Sequence, residues 1–301
     1  MEGRDLLEFL CEKVSPTLWG LSSEYEDSKV VVVGVPFDAT SSFRPGSRFA
    51  PRRIREISEE LETYLPELDV GIDELPVFDG GDLGLSVTAA SMLESLTRLV
   101  KALASDDKVV ALIGGEHTIT LGAIKGLTSA GLKPSVLILD AHLDFRDEYP
   151  EGERLTHATV TRRVAELVGP EKVIVAGVRA ISREEYLAAK ETGVKVLQHN
   201  PLNADSLVET ISDLLLEVHE PLYISLDMDV VDPSHAPGVS NPEPLGLSPA
   251  SLLKLLREVA KSVETCGVDL VEVNPLYDVG DITSALAAKV LGILLAWICR
   301  R

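Results

Sequence analysis

The chain of 301 residues carries 48 acidic against 28 basic side chains, a formal charge of −20, and 45% of its residues are hydrophobic. A surface this acidic repels nucleic acid and anionic membranes, which argues against them as partners, and favours cationic small molecules, while the length admits one large α/β domain or two modest ones, with a sizeable core. Three widely spaced cysteines, Cys11, Cys266 and Cys299, form neither a CxxC pair nor an even framework, which reads as reduced thiols in a cytoplasmic protein.

In chain order, the opening MEGRDLLEFLCEKV is broken by acids and reads as an amphipathic helix rather than a signal peptide. Apolar runs then recur at 29–36, 108–115, 135–142, 172–179, 194–197, 222–229 and 268–275, mostly without alternation, as strands covered on both faces require. Helical stretches fall between them, at about 51–63, 88–105, 118–130, 159–168, 182–192, 204–218, 248–265 and 281–298. Ser182 with Glu185 forms a capping-box pattern, and Ser248 followed by Pro249 marks another helix start. The last apolar stretch, LGILLAWIC, follows Lys289 and is too short for a bilayer, so it reads as a core helix. The βαβ alternation runs from end to end without repeat or linker, which predicts a single domain over 1–301. Its core is a doubly wound, mostly parallel sheet of about eight strands.

Ligand sites in such sheets lie beyond the carboxyl ends of the strands, and the unusual polar residues of this sequence collect there. GGEHT places His117 just past one strand, and LDAHLDF places Asp140, His142 and Asp144 at the end of another. LDMD adds Asp227 and Asp229, and VEVNP adds Glu272. Taken singly, each has a structural explanation: a helix-start histidine, a turn aspartate such as Asp232 before Pro233, a glutamate paired with arginine. Four carboxylates gathered at adjoining strand ends would repel one another and in part stay protonated unless cations balanced them. Two divalent cations match four negative charges, and in D-x-H-x-D and D-x-D alternate strand residues point the same way. A donor set of two histidines and four aspartates without sulfur is hard and oxygen-rich. It favours manganese over a structural cysteine-bound zinc, while cobalt, nickel or zinc remain open on ligand type alone.

The segments GGEHT, LDAHLDF, SLDMDVVDPSHAPGVSNPEPLG and DLVEVNPLYD, in this order, resemble the ureohydrolase family of arginases and agmatinases. The N-terminal GVPFDATSSFRPGSRFAPRRIRE resembles it too, so the likeness covers nearly the whole chain. The resemblance implies a three-layer α/β/α, arginase-like fold and two Mn²⁺ ions per subunit. By motif match, one ion would be held by His117, Asp140, Asp144 and Asp227. The other would be held by His142, Asp140, Asp227 and Asp229, with Asp140 and Asp227 bridging. It implies attack of metal-bridging hydroxide on a guanidinium carbon, releasing urea and an amine. Glu272 matches the carboxylate that holds the guanidinium, a planar cation suited to a bidentate partner, and His157, in THAT, matches the histidine that passes protons to the leaving amine. Ala158 stands where many relatives have Gly, and Glu116, where many have Asp, is read as a non-ligand of little consequence. His199 and His219 read as surface residues; His235 is either a plain loop residue or part of the pocket mouth. Trimers or hexamers are implied by the resemblance alone.

Substrate choice turns on the loop after the metal motif, FRDEYPEGERLTH, which carries Asp147, Glu148, Glu151 and Glu153 and no serine. An acidic rim suits a distal ammonium and repels a carboxylate. The expectation is therefore agmatine hydrolysis to putrescine and urea, with aminopropylagmatine as a close variant. Arg146 and Arg154 in the same loop keep arginine and guanidinobutyrate open. Rivals from other classes are a two-metal phosphoesterase, which would want basic residues for phosphate, a one-zinc deacetylase, which would not need both Asp144 and Asp229, and a non-catalytic relative, which should have lost ligands.

Overall fold

The computed structural model describes residues 2–203 and 205–301. Helix α1 (Gly3–Leu10) turns Leu6 and Leu7 inward and leads into a two-residue strand, β1 (Cys11–Glu12). Strand β2 (Val30–Val35) and helix α2 (Ala50–Ser58) precede a small hairpin, β3 (Tyr64–Leu65) with β4 (Val70–Gly71), and then β5 (Val77–Leu83). Helix α3 (Ala89–Ser105) and four strand–helix steps follow: β6 (Val109–Gly114), α4 (Ile119–Ser129), β7 (Ser135–Leu139), α5 (Val160–Val168), β8 (Val173–Val178), α6 (Arg183–Thr192), β9 (Lys195–Gln198) and α7 (Asp205–Leu215). The chain closes with β10 (Leu222–Asp227), α8 (Pro249–Ser262), β11 (Thr265–Val271) and α9 (Ile282–Arg300). The capping-box pattern forms as read, Ser182 Oγ accepting from the Glu185 N–H, and Ser248 Oγ caps α8 by accepting from Ser251.

Among the described residues nine strands form one sheet in the order β1-β5-β2-β6-β11-β10-β7-β8-β9, parallel except for the antiparallel edge pair β1–β5. The central strands are buried on both faces, and alternation divides their side chains between two cores. Val30, Val32, Leu137, Leu139, Ile224 and Leu226 pack beneath α2, α7, α8 and α9. Val31, Val33, Val136, Ile138, Val173 and Val175 pack beneath α1, α3, α4, α5 and α6. The result is three layers, as expected.

The sheet has nine strands rather than about eight because the edge pair escapes the apolar pattern. Strand β5 reads VFDGGDL, and its polarity is compensated from α2: the buried Arg55 clamps Asp79 through two bonds of 2.8 and 2.9 Å and reaches Asp82 at 2.6 Å. Gly34 on β2 is what leaves room, since a Cβ there would lie 1.8 Å from Asp82 Oδ1. At the other end of the chain, α9 is a 19-residue helix and by itself long and apolar enough to cross a bilayer, longer than the apolar stretch suggests. It nonetheless buries Leu291, Leu294, Leu295 and Ala296 in the core, with Gly292 facing the Trp19 ring.

The order of the sheet also places the site. The chain moves from β6 to β7 by a long step, and β10 and β11 later insert between them. The four central strands β6, β11, β10 and β7 therefore present their carboxyl ends side by side at the switch in direction, where open α/β sheets bind ligands.

Candidate active site

Every polar residue expected at a strand end lies on this central crest. His117 follows β6, Asp140, His142 and Asp144 follow β7, Asp227 ends β10 with Asp229 just beyond, and Glu272 follows β11. Simple strand alternation does not gather them. Strand β7 stops at Leu139, and the next five residues run as a loop in which Asp144 adopts φ +50°. Asp229 sits in a 3₁₀ turn over Met228–Val230, where Asp227 Oδ1 accepts the Asp229 N–H at 2.8 Å. Glu272 also takes a left-handed backbone, φ +66°. Such conformations cost non-glycine residues about 1–3 kcal/mol each and persist where surrounding structure over-determines them.

Both imidazoles turn Nδ1 toward carboxylates. His117 Nδ1 lies 3.0 Å from Asp140 Oδ2, 3.4 Å from Asp144 Oδ2 and 3.3 Å from Asp227 Oδ2. His142 Nδ1 lies 2.8 Å from Asp229 Oδ2 and 3.5 Å from Asp140 Oδ1, so the two oxygens of Asp140 face different imidazoles. Backbone N–H groups also hold two of these carboxylates, Ala141 donating to Asp229 Oδ1 at 3.0 Å and His142 to Asp140 Oδ1 at 2.6 Å. Burial disfavours charge on His117, but Asp140, Asp144 and Asp227 outweigh it and raise the ring well above its usual range; His142 is raised likewise against its burial. Burial pushes Asp144 up to about 7 and raises Asp227 well above the carboxylate range, whereas the imidazoles overcome burial at Asp140 and lower it.

The donor chemistry fits cations. The buried Nδ1 of His117 and Oδ2 of Asp140 face each other at 3.0 Å without hydrogen-bond geometry, and neither makes a hydrogen bond elsewhere among the described residues. Two sets, His117–Asp140–Asp144 and Asp140–His142–Asp229, each bring their donor atoms within 4.8 Å of one another. Behind His117, Nε2 meets Ser225 Oγ at 2.9 Å, and Ser225 donates to the buried Asp269 at 2.6 Å, which also accepts from Thr120 and Tyr223 at 2.7 Å. A hydroxyl already committed to a carboxylate accepts from Nε2–H, which leaves the Nδ1 lone pair free for a cation. Arg179, just after β8, secures the other side by donating to the carbonyls of Asp229 and Glu243, both at 2.7 Å.

These groups open into a cavity of about 410 Å³. Glu272 stands in its wall, Oε1 accepting the His117 N–H at 2.8 Å and Oε2 buried without a partner; burial pushes the carboxyl up to about 8. His157 stands opposite, its Nε2 3.1 Å from Ser42 Oγ, and burial lowers it to about 4.

Several readings from sequence are corrected. None of the loop acids lines this cavity, although Glu153 lines the neighbouring one: Asp147 is bound by Arg163 at 2.8 Å and Arg154 at 3.1 Å, and Glu148 caps the Gly152 N–H at 2.9 Å. What the loop does contribute is Arg146 and Tyr149, and the acid beside them is Glu185 from the first turn of α6, 3.5 Å from Arg146. His199 is buried rather than on the surface, with burial and the charge of Arg179 lowering it; His219 and His235 are exposed. Asp232 is the turn residue expected, accepting from the backbone N–H groups of Ser234 and Gly246 at 2.9 Å; the Ser234 side chain, followed by these backbone groups, holds it down at about 2. Glu116, set aside in the sequence, is fully buried and accepts from three donors, although burial still pushes it up to about 7.

The arginase family model matches residues 28–296, from just before β2 into the last turns of α9. The chain belongs to the arginase family. Within that family it is 40% identical to the agmatinase of Bacillus cereus over 91% of this chain and 93% of that one. It is 36% identical to the N(1)-aminopropylagmatine ureohydrolase of Thermococcus kodakarensis, over 89% and 90% of the two chains. Among solved structures, the agmatine ureohydrolase of Thermoplasma volcanium superposes with a TM-score of 0.86 at 34% identity and 95% coverage of both chains. Arginase-family enzymes depend on a pair of metal ions, and the cluster at the crest supplies candidate ligand groups for them.

Proposed function

We propose that this arginase-family member hydrolyses agmatine to putrescine and urea as one catalytic unit spanning 1–301. The observation that carries the reading is the buried group of four carboxylates and two imidazoles, whose cavity also holds the unpartnered Oε2 of Glu272. The first Mn²⁺ would be held by His117, Asp140, Asp144 and Asp227, the second by His142, Asp140, Asp227 and Asp229; the Asp140 oxygens facing two imidazoles support its bridging place. Bound there, the two cations supply hydroxide at neutral pH by lowering the pKa of water. Glu272 holds the guanidinium through Oε2 while its other oxygen stays fixed to the backbone, and His157 passes a proton to the departing nitrogen. The guanidinium carbon gains a C–O bond to water and loses its C–N bond to the chain.

A phosphoesterase reading fits poorly, since Arg146, the arginine of the cavity wall, is already paired with Glu185 at 3.5 Å and no lysine lines the cavity among the described residues. A formal charge of −20 argues against nucleic acid and anionic membrane as partners. A cytoplasmic trimer or hexamer completes the proposal. Aminopropylagmatine is the second reading: a further cavity of about 840 Å³ adjoins the first across Ser42 and Tyr149 and offers room for a longer tail.

Urea release from agmatine, aminopropylagmatine, arginine and guanidinobutyrate, with and without added Mn²⁺, tests this. Agmatine is expected to show the highest kcat/KM, and only with metal. Faster release from arginine overturns the substrate, and no metal-dependent release from any of the four overturns the reaction.

A further inference from the structure

Glu116 follows the β6 glycines but turns away from the carboxylate cluster. Its Oε2 accepts the Thr40 N–H at 2.8 Å, and its Oε1 accepts the Thr118 hydroxyl at 2.5 Å and the Thr40 hydroxyl. All three neighbours present a hydrogen to it, so the hydroxyl hydrogen of Thr40 is committed to Glu116. Thr40 Oγ1 is left as an acceptor on its other side, and that side is His157. The His157 N–H donates to it at 3.2 Å, and ring Nδ1 lies 3.5 Å away. An acceptor facing Nδ1 favours the tautomer with the hydrogen on Nδ1, and it also stabilises the imidazolium. The lone pair then sits on Nε2, which faces Ser42 and the cavity.

We propose that Glu116 and Thr40 are positioning residues that hold His157 as the Nδ1–H tautomer with Nε2 presented to the cavity. This rests on the role given to His157 above. Nε2 takes one proton from the water consumed in the reaction and gives it to the departing nitrogen, while the Nδ1 hydrogen stays directed at Thr40, and the ring returns to its neutral form. Thr40→Val keeps the backbone N–H bonded to Glu116 but removes the acceptor of both His157 Nδ1 and the His157 backbone N–H, so the neutron map of the parent is what separates control of the tautomer from anchoring of the backbone.

The test combines kinetics with neutron diffraction on the Mn²⁺-loaded enzyme. In Thr40→Val, kcat for agmatine is expected to fall about 10²-fold, the lower end of what a positioned acid–base group contributes, with KM and bound Mn²⁺ per chain unchanged. Thr40→Ser, which keeps the hydroxyl, is expected to recover most of that loss. Neutron maps of the parent are expected to place deuterium on His157 Nδ1. Deuterium on Nε2 in the parent overturns the proposal whether or not the variants fold, and so does parental kcat in Thr40→Val. His157→Asn at parental kcat would overturn the histidine's role instead, which the neutron result does not depend on.

Discussion

Arg55, Asp79 and Asp82 beneath β5 and the Asp140, Asp227 and His117 group at the crest both take charge out of water on the same sheet, yet they complete their hydrogen bonding differently. Beneath β5, each Asp79 oxygen accepts one Arg55 nitrogen and one backbone N–H, from Gly81 at 3.1 Å or Leu18 at 2.8 Å. Asp82 draws on the same guanidinium. At the crest, His117 Nδ1, Asp140 Oδ2 and Glu272 Oε2 make no hydrogen bond among the described residues, although the first two face each other at 3.0 Å. A buried charge without a counter-charge costs several kcal/mol. The first cluster is a complete structural clamp, and the second, whose donor groups are candidate metal ligands, leaves hydrogen-bonding capacity unused. Buried charge marks function here by what it leaves unpaired.

The two clusters should therefore fail in different ways. Arg55→Ala strands Asp79 in the core and is expected to cost about 3–5 kcal/mol of folding stability, the penalty for breaking a buried pair from one side. Urea denaturation measures it, and the fraction still folded should bind Mn²⁺ as the parent does; a loss under 1 kcal/mol would remove the clamp from the comparison. Asp229→Asn is expected to do the reverse. Asparagine keeps an oxygen for the Ala141 N–H but gives up the charge that faces His142 Nδ1 at 2.8 Å, a loss offset by weaker repulsion among the carboxylates, so metal-free stability should change far less than in Arg55→Ala. Mn²⁺ occupancy and kcat/KM should fall, the latter about 10²- to 10³-fold, or about 3–4 kcal/mol of transition-state stabilisation. Parental activity in Asp229→Asn would sink the two-metal reading.

The same contrast explains what could be read from the sequence. Strands β2, β6, β7, β8, β10 and β11 announce themselves because uninterrupted Val, Ile and Leu suit a layer covered on both faces. Strand β5 did not, because Asp79 and Asp82 are neutralised by an arginine from another element, 24 and 27 positions earlier in the chain. At the site, carboxylates placed where strands end were visible as an expense without a local partner. The groups behind them were not read, although a signal existed: Ser225 and Asp269 interrupt otherwise apolar strands, and those are the positions that meet behind His117. Thr40 and Glu116 leave no such mark, because a threonine in a loop and a glutamate beside glycines are ordinary until the fold brings 76 positions together. The loop acids misled for the complementary reason, since the arginines that occupy Asp147 lie on α5 and across the loop.

Protons sharpen the comparison last, with the smallest effect. In the metal-free fold the crest holds protons that cations must displace: His117 and His142 are raised, Asp227 is raised well above its ordinary range, and burial pushes Asp144 up to about 7. A cation uses the Nδ1 lone pair and the ionised carboxylate, so each of these groups sheds its proton on binding. The sign follows: lowering the pH favours the protonated, metal-free site, and raising it favours the loaded one. Mn²⁺ affinity is expected to rise about tenfold per pH unit for each proton released, about 1.4 kcal/mol per unit. Calorimetric titration between about pH 6.5 and 8.5, in buffers of different ionisation enthalpy, reads both the affinity and the protons released. The Arg55 cluster has nothing comparable to lose: Asp79 and Asp82 outweigh burial and raise its guanidinium above an already high value, so it stays charged throughout. A Kd for Mn²⁺ that does not move over this range would mean that the crest is already deprotonated before metal arrives, and the unpaired Nδ1 of His117 would then be held by geometry alone.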